Sequence, residues 1–135
     1  MKTQGFTLIE LMVVVVIIAA LAAMIVPHVL PASEEAKRGI AQGDIARIQG
    51  VALALYKLHN DKYPTSEQGL NALVVRPASA KKWKGPYLTK KKVRDPWRND
   101  YRYKNPGTRS LTGPDVWSVG PDGQDGTDDD VWPEE

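Results

Sequence analysis

Gly5-Phe6-Thr7-Leu8-Ile9-Glu10 opens into Leu11-Met12-Val13-Val14-Val15-Val16-Ile17-Ile18-Ala19-Ala20-Leu21-Ala22-Ala23-Met24-Ile25-Val26, sixteen residues without a charge. From residue 6 to residue 26 the span is 21 residues long, interrupted only by Glu10. A helix needs roughly 20 residues to cross the hydrocarbon core of a bilayer, so the stretch is long enough to span one. A secretory signal peptide carries a shorter apolar region followed by small residues at its cleavage site. The alanines of residues 19–23 do not exclude such a site, but the run is long and holds a carboxylate near its start. An ordinary signal anchor also fits the hydropathy. A carboxylate inside a membrane segment costs roughly 2.5–3.5 kcal/mol on insertion scales and usually has a partner. This close to the end of the run, Glu10 can also snorkel to the interface.

Outward from this stretch, the composition excludes several chemistries. The 135-residue length suits one domain, or one small domain with an accessory element. There is no cysteine, which removes disulfides, Cys-ligated zinc, iron–sulfur clusters and thiol nucleophiles. His28 and His59 are the only imidazoles, too few for a His-rich metal site. The net charge of +2 and mean hydropathy of -0.35 suggest a soluble chain only because they average over unlike segments.

The leader Met1-Lys2-Thr3-Gln4, followed by Gly5-Phe6-Thr7-Leu8-Ile9-Glu10 and the apolar run, resembles the class III signal of the type IV pilin and pseudopilin family. The resemblance implies cleavage between Gly5 and Phe6 by a prepilin peptidase, which also N-methylates Phe6. Residues 1–5 are then a leader, and Glu10 is the fifth residue of the mature chain. It further implies that the Glu10 carboxylate of one subunit neutralises the Phe6 amine of a neighbour, making two costly charges tolerable as a pair.

Pro27 and Pro31 follow the span. Proline inside a helix removes a hydrogen bond and kinks or breaks it, so a break at Pro27, over about residues 26–32, is expected. Ser33 with Glu34 and Glu35 then reads as an N-cap and acidic first turn. Ala41, Ile45, Ile48, Ala52 and Leu55 fall at helical spacing, with Val51 and Leu58 widening the stripe. This predicts an amphipathic helix over about residues 34–59, with His59 and Asn60 as its end and not a metal site. The organisation read from these signals is leader 1–5, transmembrane or filament-core helix 6–32, amphipathic half 33–60 and a small globular domain 61–135.

In that last part, Tyr63-Pro64-Thr65-Ser66-Glu67-Gln68-Gly69-Leu70 opens a short helix that Ser66 is expected to cap, with Leu70, Leu73 and Val74 packing inward. Tyr101-Arg102-Tyr103-Lys104 alternates as a half-buried strand does, and residues 115–120 read as a second strand. The predicted class is α+β, type IV pilin-like: a long N-terminal helix on a small antiparallel sheet. Tyr63-Pro64-Thr65, Gln68-Gly69-Leu70, Gly85-Pro86-Tyr87, Asp95-Pro96-Trp97 and Tyr101 resemble one branch of the family, the major pseudopilins (G subunits) of type II secretion.

From Ser110 onward there are eight acids and no Lys or Arg. A like-charge run is often a solvated tail, but Trp117, Val119, Val131 and Trp132 anchor both ends and glycines punctuate it. Clustered Asp with Gly suits Ca²⁺, which takes six to eight oxygens, while Zn²⁺ prefers the missing Cys and His. The spacing is not that of an EF-hand. The resemblance implies a calcium loop over residues 119–131, held by Asp122, Asp129 and Asp130, the carbonyls of Val119 and Val131, and Thr127 as a further ligand. Asp125 and Asp128 are less secure.

From Lys81 to Arg109 there are eleven Lys or Arg against Asp95 and Asp100. Interleaved aromatics make a nucleic-acid surface conceivable, but no reader motif is present, and no nucleic-acid partner is expected. A solvated face meeting acidic tails of neighbouring subunits fits better. No Ser–His–Asp grouping or paired-carboxylate site stands out, so no enzymatic activity is expected. The resemblance implies a single-pass inner-membrane protein with a periplasmic C-terminal domain. It would polymerise with itself into a pseudopilus that drives folded exoproteins across the outer membrane. Implied partners are minor pseudopilins, the prepilin peptidase and the inner-membrane assembly platform. A type IV pilin for adhesion, motility or DNA uptake, and an anchored periplasmic hydrolase, are the alternatives.

Overall fold

The computed structural model describes residues 5–134, the side chains of residues 25–32 excepted. Residues 1–4 of the expected leader lie outside the described residues. In chain order the elements are α1 (Leu8–Arg47), a π-helical turn (Ile48–Leu53), α2 (Ala54–Asn60), two 3-10 turns (Gly69–Leu73 and Lys90–Val93), β1 (Arg102–Lys104) and β2 (Asp115–Trp117). The chain divides into two units, Met1–Ala36 and Lys37–Glu135.

In the first unit the described apolar side chains of the α1 stretch are exposed, Leu8 to 76% and Met24 to 71%. Among the described residues no helix is both long and apolar enough to cross a membrane. The expected break at Pro27 is not where the helix is interrupted. The Pro27 side chain lies outside the described residues, but the backbone is helical through positions 27 and 31. Each proline removes a single helical hydrogen bond, and the Ala-rich residues before and the Glu–Glu–Ala–Lys–Arg residues after are good helix formers. Ser33 consequently sits inside α1 and is not its N-cap.

The interruption comes in the second unit, at the π turn. Ala41, Ile45, Ile48 and Ala52 are buried as the spacing predicts, but the stripe then passes to Leu53 and Tyr56 while Leu55, Val51 and Leu58 face outward. A π turn closes its hydrogen bonds over one more residue than an α turn. It therefore hands the buried face on one position later, from Leu55 to Tyr56. Leu70, Leu73, Leu88, Tyr101, Val116 and Val131 complete the core, with Val74 packed at its edge.

Strands β1 and β2 pair antiparallel, with Tyr103 opposite Val116. Two isolated bridges extend this framework, Arg94 with Asp100 and Ser118 with Val131. The segment before the first 3-10 turn is capped by Thr65 and not by Ser66. The Gln68 N–H donates to Thr65 Oγ1 at 3.2 Å and the Thr65 N–H to Gln68 Oε1 at 3.0 Å, the reciprocal pattern of a capping box. Ser66 instead exchanges two hydrogen bonds with the Asn105 backbone. His59 is the penultimate residue of α2, which ends at Asn60, and its Nδ1 lies 2.8 Å from the Tyr87 hydroxyl.

Inside the sheet side, Asp44 is buried and receives Lys92 Nζ at 2.9 Å and the Tyr101 hydroxyl at 3.4 Å. Burial, reinforced by the Asp44 charge, pushes the Tyr101 hydroxyl well above the ordinary tyrosine range.

Candidate functional site

The N-terminal determinants gather on the first turn of α1. The Thr7 N–H and Oγ1 both donate to Glu10 Oε2 at 2.9 Å, and the Glu10 N–H donates back to Thr7 Oγ1 at 3.3 Å. Thr7 precedes the helix and Glu10 is its third residue, so Glu10 completes a capping box. This local role was legible as Thr-x-x-Glu in the sequence, and attention to the charge alone misses it. Gly5 and Phe6 precede the cap and are exposed.

The acidic loop is held at three levels. At its base, Ser118 and Val131 exchange backbone hydrogen bonds of 3.0 and 2.8 Å. Beneath that base, buried Asp95 accepts from Ser118 Oγ at 2.6 Å through one oxygen. Its other oxygen accepts from the N–H groups of Trp97 and Asn99. Asn99 Nδ2 then donates to the Gly120 carbonyl at 3.1 Å. The Asp95-Pro96-Trp97-Arg98-Asn99 turn therefore positions the entry to the loop, a role that a search for ligands does not reveal. On the outside, Trp117 and Trp132 stack with ring centres 4.8 Å apart, and the Arg109 guanidinium lies 4.0 Å over Trp132.

Of the expected calcium ligands, Asp122 accepts from the Gln124 N–H at 2.9 Å and Thr127 Oγ1 donates to the Gln124 carbonyl. Asp129 pairs with Arg38 at 3.5 Å, and Asp130 Oδ2 accepts from the Gly126 N–H at 2.9 Å. Asp130 Oδ1 is buried and has no hydrogen-bond partner among the described residues. The Val131 carbonyl takes the Ser118 N–H, and Val119 is fully buried. Asp125, the less secure candidate, accepts from Trp117 Nε1 at 2.7 Å. Among the described residues no three His, Asp or Glu side chains converge as a metal-holding group. An all-oxygen donor set and one orphaned buried carboxylate oxygen nevertheless fit a hard cation and no soft one.

A second carboxylate organises the approach to the loop. Buried Asp115 accepts from the N–H groups of Thr108, Arg109 and Ser110 at 2.6–2.9 Å, and from Thr108 Oγ1 at 3.2 Å. Burial alone would raise its pKa, but the converging backbone donors outweigh it and hold the group far below the usual carboxylate range.

Comparison with known proteins matches residues 28–132 to the family model described as type II secretion system (T2SS), protein G. The chain belongs to the T2SS protein G family. Residues 1–26 of this family member also match the prokaryotic N-terminal methylation motif. It is 49% identical over 133 residues to the type II secretion system core protein G of Pseudomonas aeruginosa, covering 95% of this chain and 90% of that protein. It is 44% identical over 134 residues to the core protein G of Escherichia coli K12, covering 96% and 90%. The crystal structure of the major pseudopilin from the type 2 secretion system of enterohaemorrhagic Escherichia coli superposes with a TM-score of 0.67 at 34% identity. That match covers 76% of this chain and 86% of the other. The α+β fold of a pseudopilin is thereby established for this protein G family member, with its helix and two-stranded antiparallel sheet.

Proposed function

We propose that the chain is the major structural subunit of a type II secretion pseudopilus, a filament protein and not an enzyme. The observation that carries this is the first unit's helix, whose described apolar residues are exposed all round from Leu8 to Met24. A helix apolar on every side belongs in a bilayer or among other helices. A patch of this extent is not left open to water in a monomer. Before assembly the helix rests in the inner membrane with the second unit in the periplasm. In the filament, copies of the same helix cover one another.

Cleavage after Gly5 by the prepilin peptidase exposes the Phe6 amine, which it then methylates. The Glu10 carboxylate of a neighbouring subunit neutralises that amine as the helix enters the filament. Minor pseudopilins and the inner-membrane platform are the further partners of this assembly, and the transported cargo is folded exoproteins.

The C-terminal loop takes calcium in this reading. Asp122, Asp129 and Asp130, the carbonyls of Val119 and Val131, and Thr127 would hold it. The unpartnered Asp130 oxygen supports this reading. The ion would supply positive charge that neutralises the loop's carboxylates and ties the two ends of the loop.

The test expresses the full chain in a host carrying a type II secretion apparatus. The mature mass should correspond to loss of residues 1–5 plus one methyl group, and sheared surface or periplasmic material should contain filaments of this chain. An uncleaved chain that remains monomeric in the membrane would overturn the reading.

A further inference from the structure

The three lysines of the Lys90–Val93 turn do different things. Lys92 turns inward to buried Asp44 at 2.9 Å, which fixes the turn against the long helix. Lys90 and Lys91 are exposed and, among the described residues, have no carboxylate within ion-pair reach. Together with Asn71, Val74, Val93 and Arg94 they line a cleft of about 450 Å³. Arg94 is bridged to Asp100 at 3.3 Å on the same cleft. The cleft is thus apolar in part and carries two unneutralised cations on a turn held in place from behind.

The complementary surface lies on the same molecule. Within the acidic loop, Asp125 is engaged by Trp117, Asp129 by Arg38 and Asp130 by Gly126. Asp128 and Glu134 are exposed and reach no cation among the described residues. The loop is tied to its own body by the Ser118–Val131 bridge and the Arg38–Asp129 pair, and among the described residues none of its carboxylates pairs with Lys90 or Lys91 of its own chain.

We infer that the cleft of Lys90 and Lys91 receives the acidic 125–134 loop of a neighbouring copy, led by Asp128. An interface in which one patch meets a different patch on the next copy generates open helical polymers and does not close into a dimer. Opposite charge fixes the register of that contact and suppresses like-with-like pairing. The inference rests on the filament reading above and adds its periplasmic contact.

The absence of cysteine makes the test clean. Full-length chain carrying both Lys91→Cys and Asp128→Cys is expressed with the secretion apparatus and oxidised. A ladder of disulfide-linked multimers is expected from the double variant, and only monomer from either single variant. Filaments without a ladder would overturn the inference and leave the filament reading standing. No filaments from the unaltered chain would overturn both. Should the double cysteine variant fail to assemble, charge reversal decides. Lys90→Glu with Lys91→Glu should lower filament yield about tenfold, and adding Asp128→Lys and Glu134→Lys should restore it. Reversal that costs nothing, or a swap that restores nothing, refutes the contact. Such an outcome would leave the cleft open to an acidic exoprotein or an anionic headgroup.

Discussion

The backbone of Gly120 passes directly against the carbonyl of Asp129, so that a Cβ on residue 120 would run into that oxygen. Gly120 also holds φ +67, a region costly for a residue with a side chain. The near side of the loop is locked by Asn99 on the Gly120 carbonyl and by Ser118 on the Gly120 N–H. The far side therefore has to move when residue 120 gains a side chain.

Gly120→Ala is accordingly expected to open the loop. The left-handed conformation alone costs roughly 1–2 kcal/mol, and the clash adds to it. For a unit of this size each kcal/mol lowers the melting temperature by about 4–8 °C. Thermal unfolding of the variant should show at least that drop. An unchanged melting temperature would mean that the Gly120–Asp129 approach is relaxed in solution.

Asp115 ties the 107–115 segment to β2. Its pKa is depressed in the folded state by backbone donors that outweigh burial. A depressed carboxylate stabilises fully above its unfolded value, near pH 4, and that contribution is lost as pH falls toward the folded value. Unfolding followed between about pH 5 and pH 2 should show a stability loss that Asp115→Asn largely removes. At neutral pH the same substitution should cost roughly 1.5–3 kcal/mol, the worth of hydrogen bonds to a charged group.

The sequence was legible where a local pattern carried the information. Ala41, Ile45, Ile48 and Ala52 announced the buried face, and the Arg102–Lys104 alternation announced an edge of the sheet. It was not legible where geometry depended on the far side of the molecule. Nothing around Gly50 marks a π turn, so Leu55 was expected inside and Tyr56 is there instead. Ser66 and Thr65 are equally good caps by residue type, and the position of Gln68 decided for Thr65. Pro27 predicts a break by its own chemistry, and the flanking helix formers carry the backbone through. At the loop, acids and glycines drew attention to residues 119–131 as a proposed cation site. Asp95 and Asn99, which hold its entry, are separated from it by the length of the sheet and gave no signal as partners.

Calcium should stabilise the second unit measurably if the loop binds it. At a hundredfold excess over the dissociation constant, linkage gives about 2.7 kcal/mol. Adding calcium should raise the melting temperature of the full chain in detergent, and a chelator should reverse the rise. Asp130→Asn replaces the carboxylate whose buried oxygen lacks a partner, and it should abolish the response while folding normally in chelator. Magnesium is expected to do much less, because it demands a small octahedral site. Equal melting curves with calcium and with chelator would sink the proposal.

Glu10 caps the start of α1 and is assigned a second role by the assembly proposal, and conservative substitution distinguishes the two. Its carboxylate caps the first turn through Thr7, and in the assembly reading it neutralises a neighbour's Phe6 amine. Glutamine serves as well as glutamate in a capping box but carries no charge. Glu10→Gln should therefore insert in the membrane and be cleaved after Gly5 like the unaltered chain, yet enter filaments poorly. Glu10→Ala should show the same assembly defect with a helix start weakened by about 1 kcal/mol, the usual worth of a lost cap. The measurements are the mature mass of the membrane-bound chain and the filament yield after shearing. If the glutamine variant assembles as well as the unaltered chain while the alanine variant does not, the cap is what assembly requires. The charge pair across subunits is then refuted.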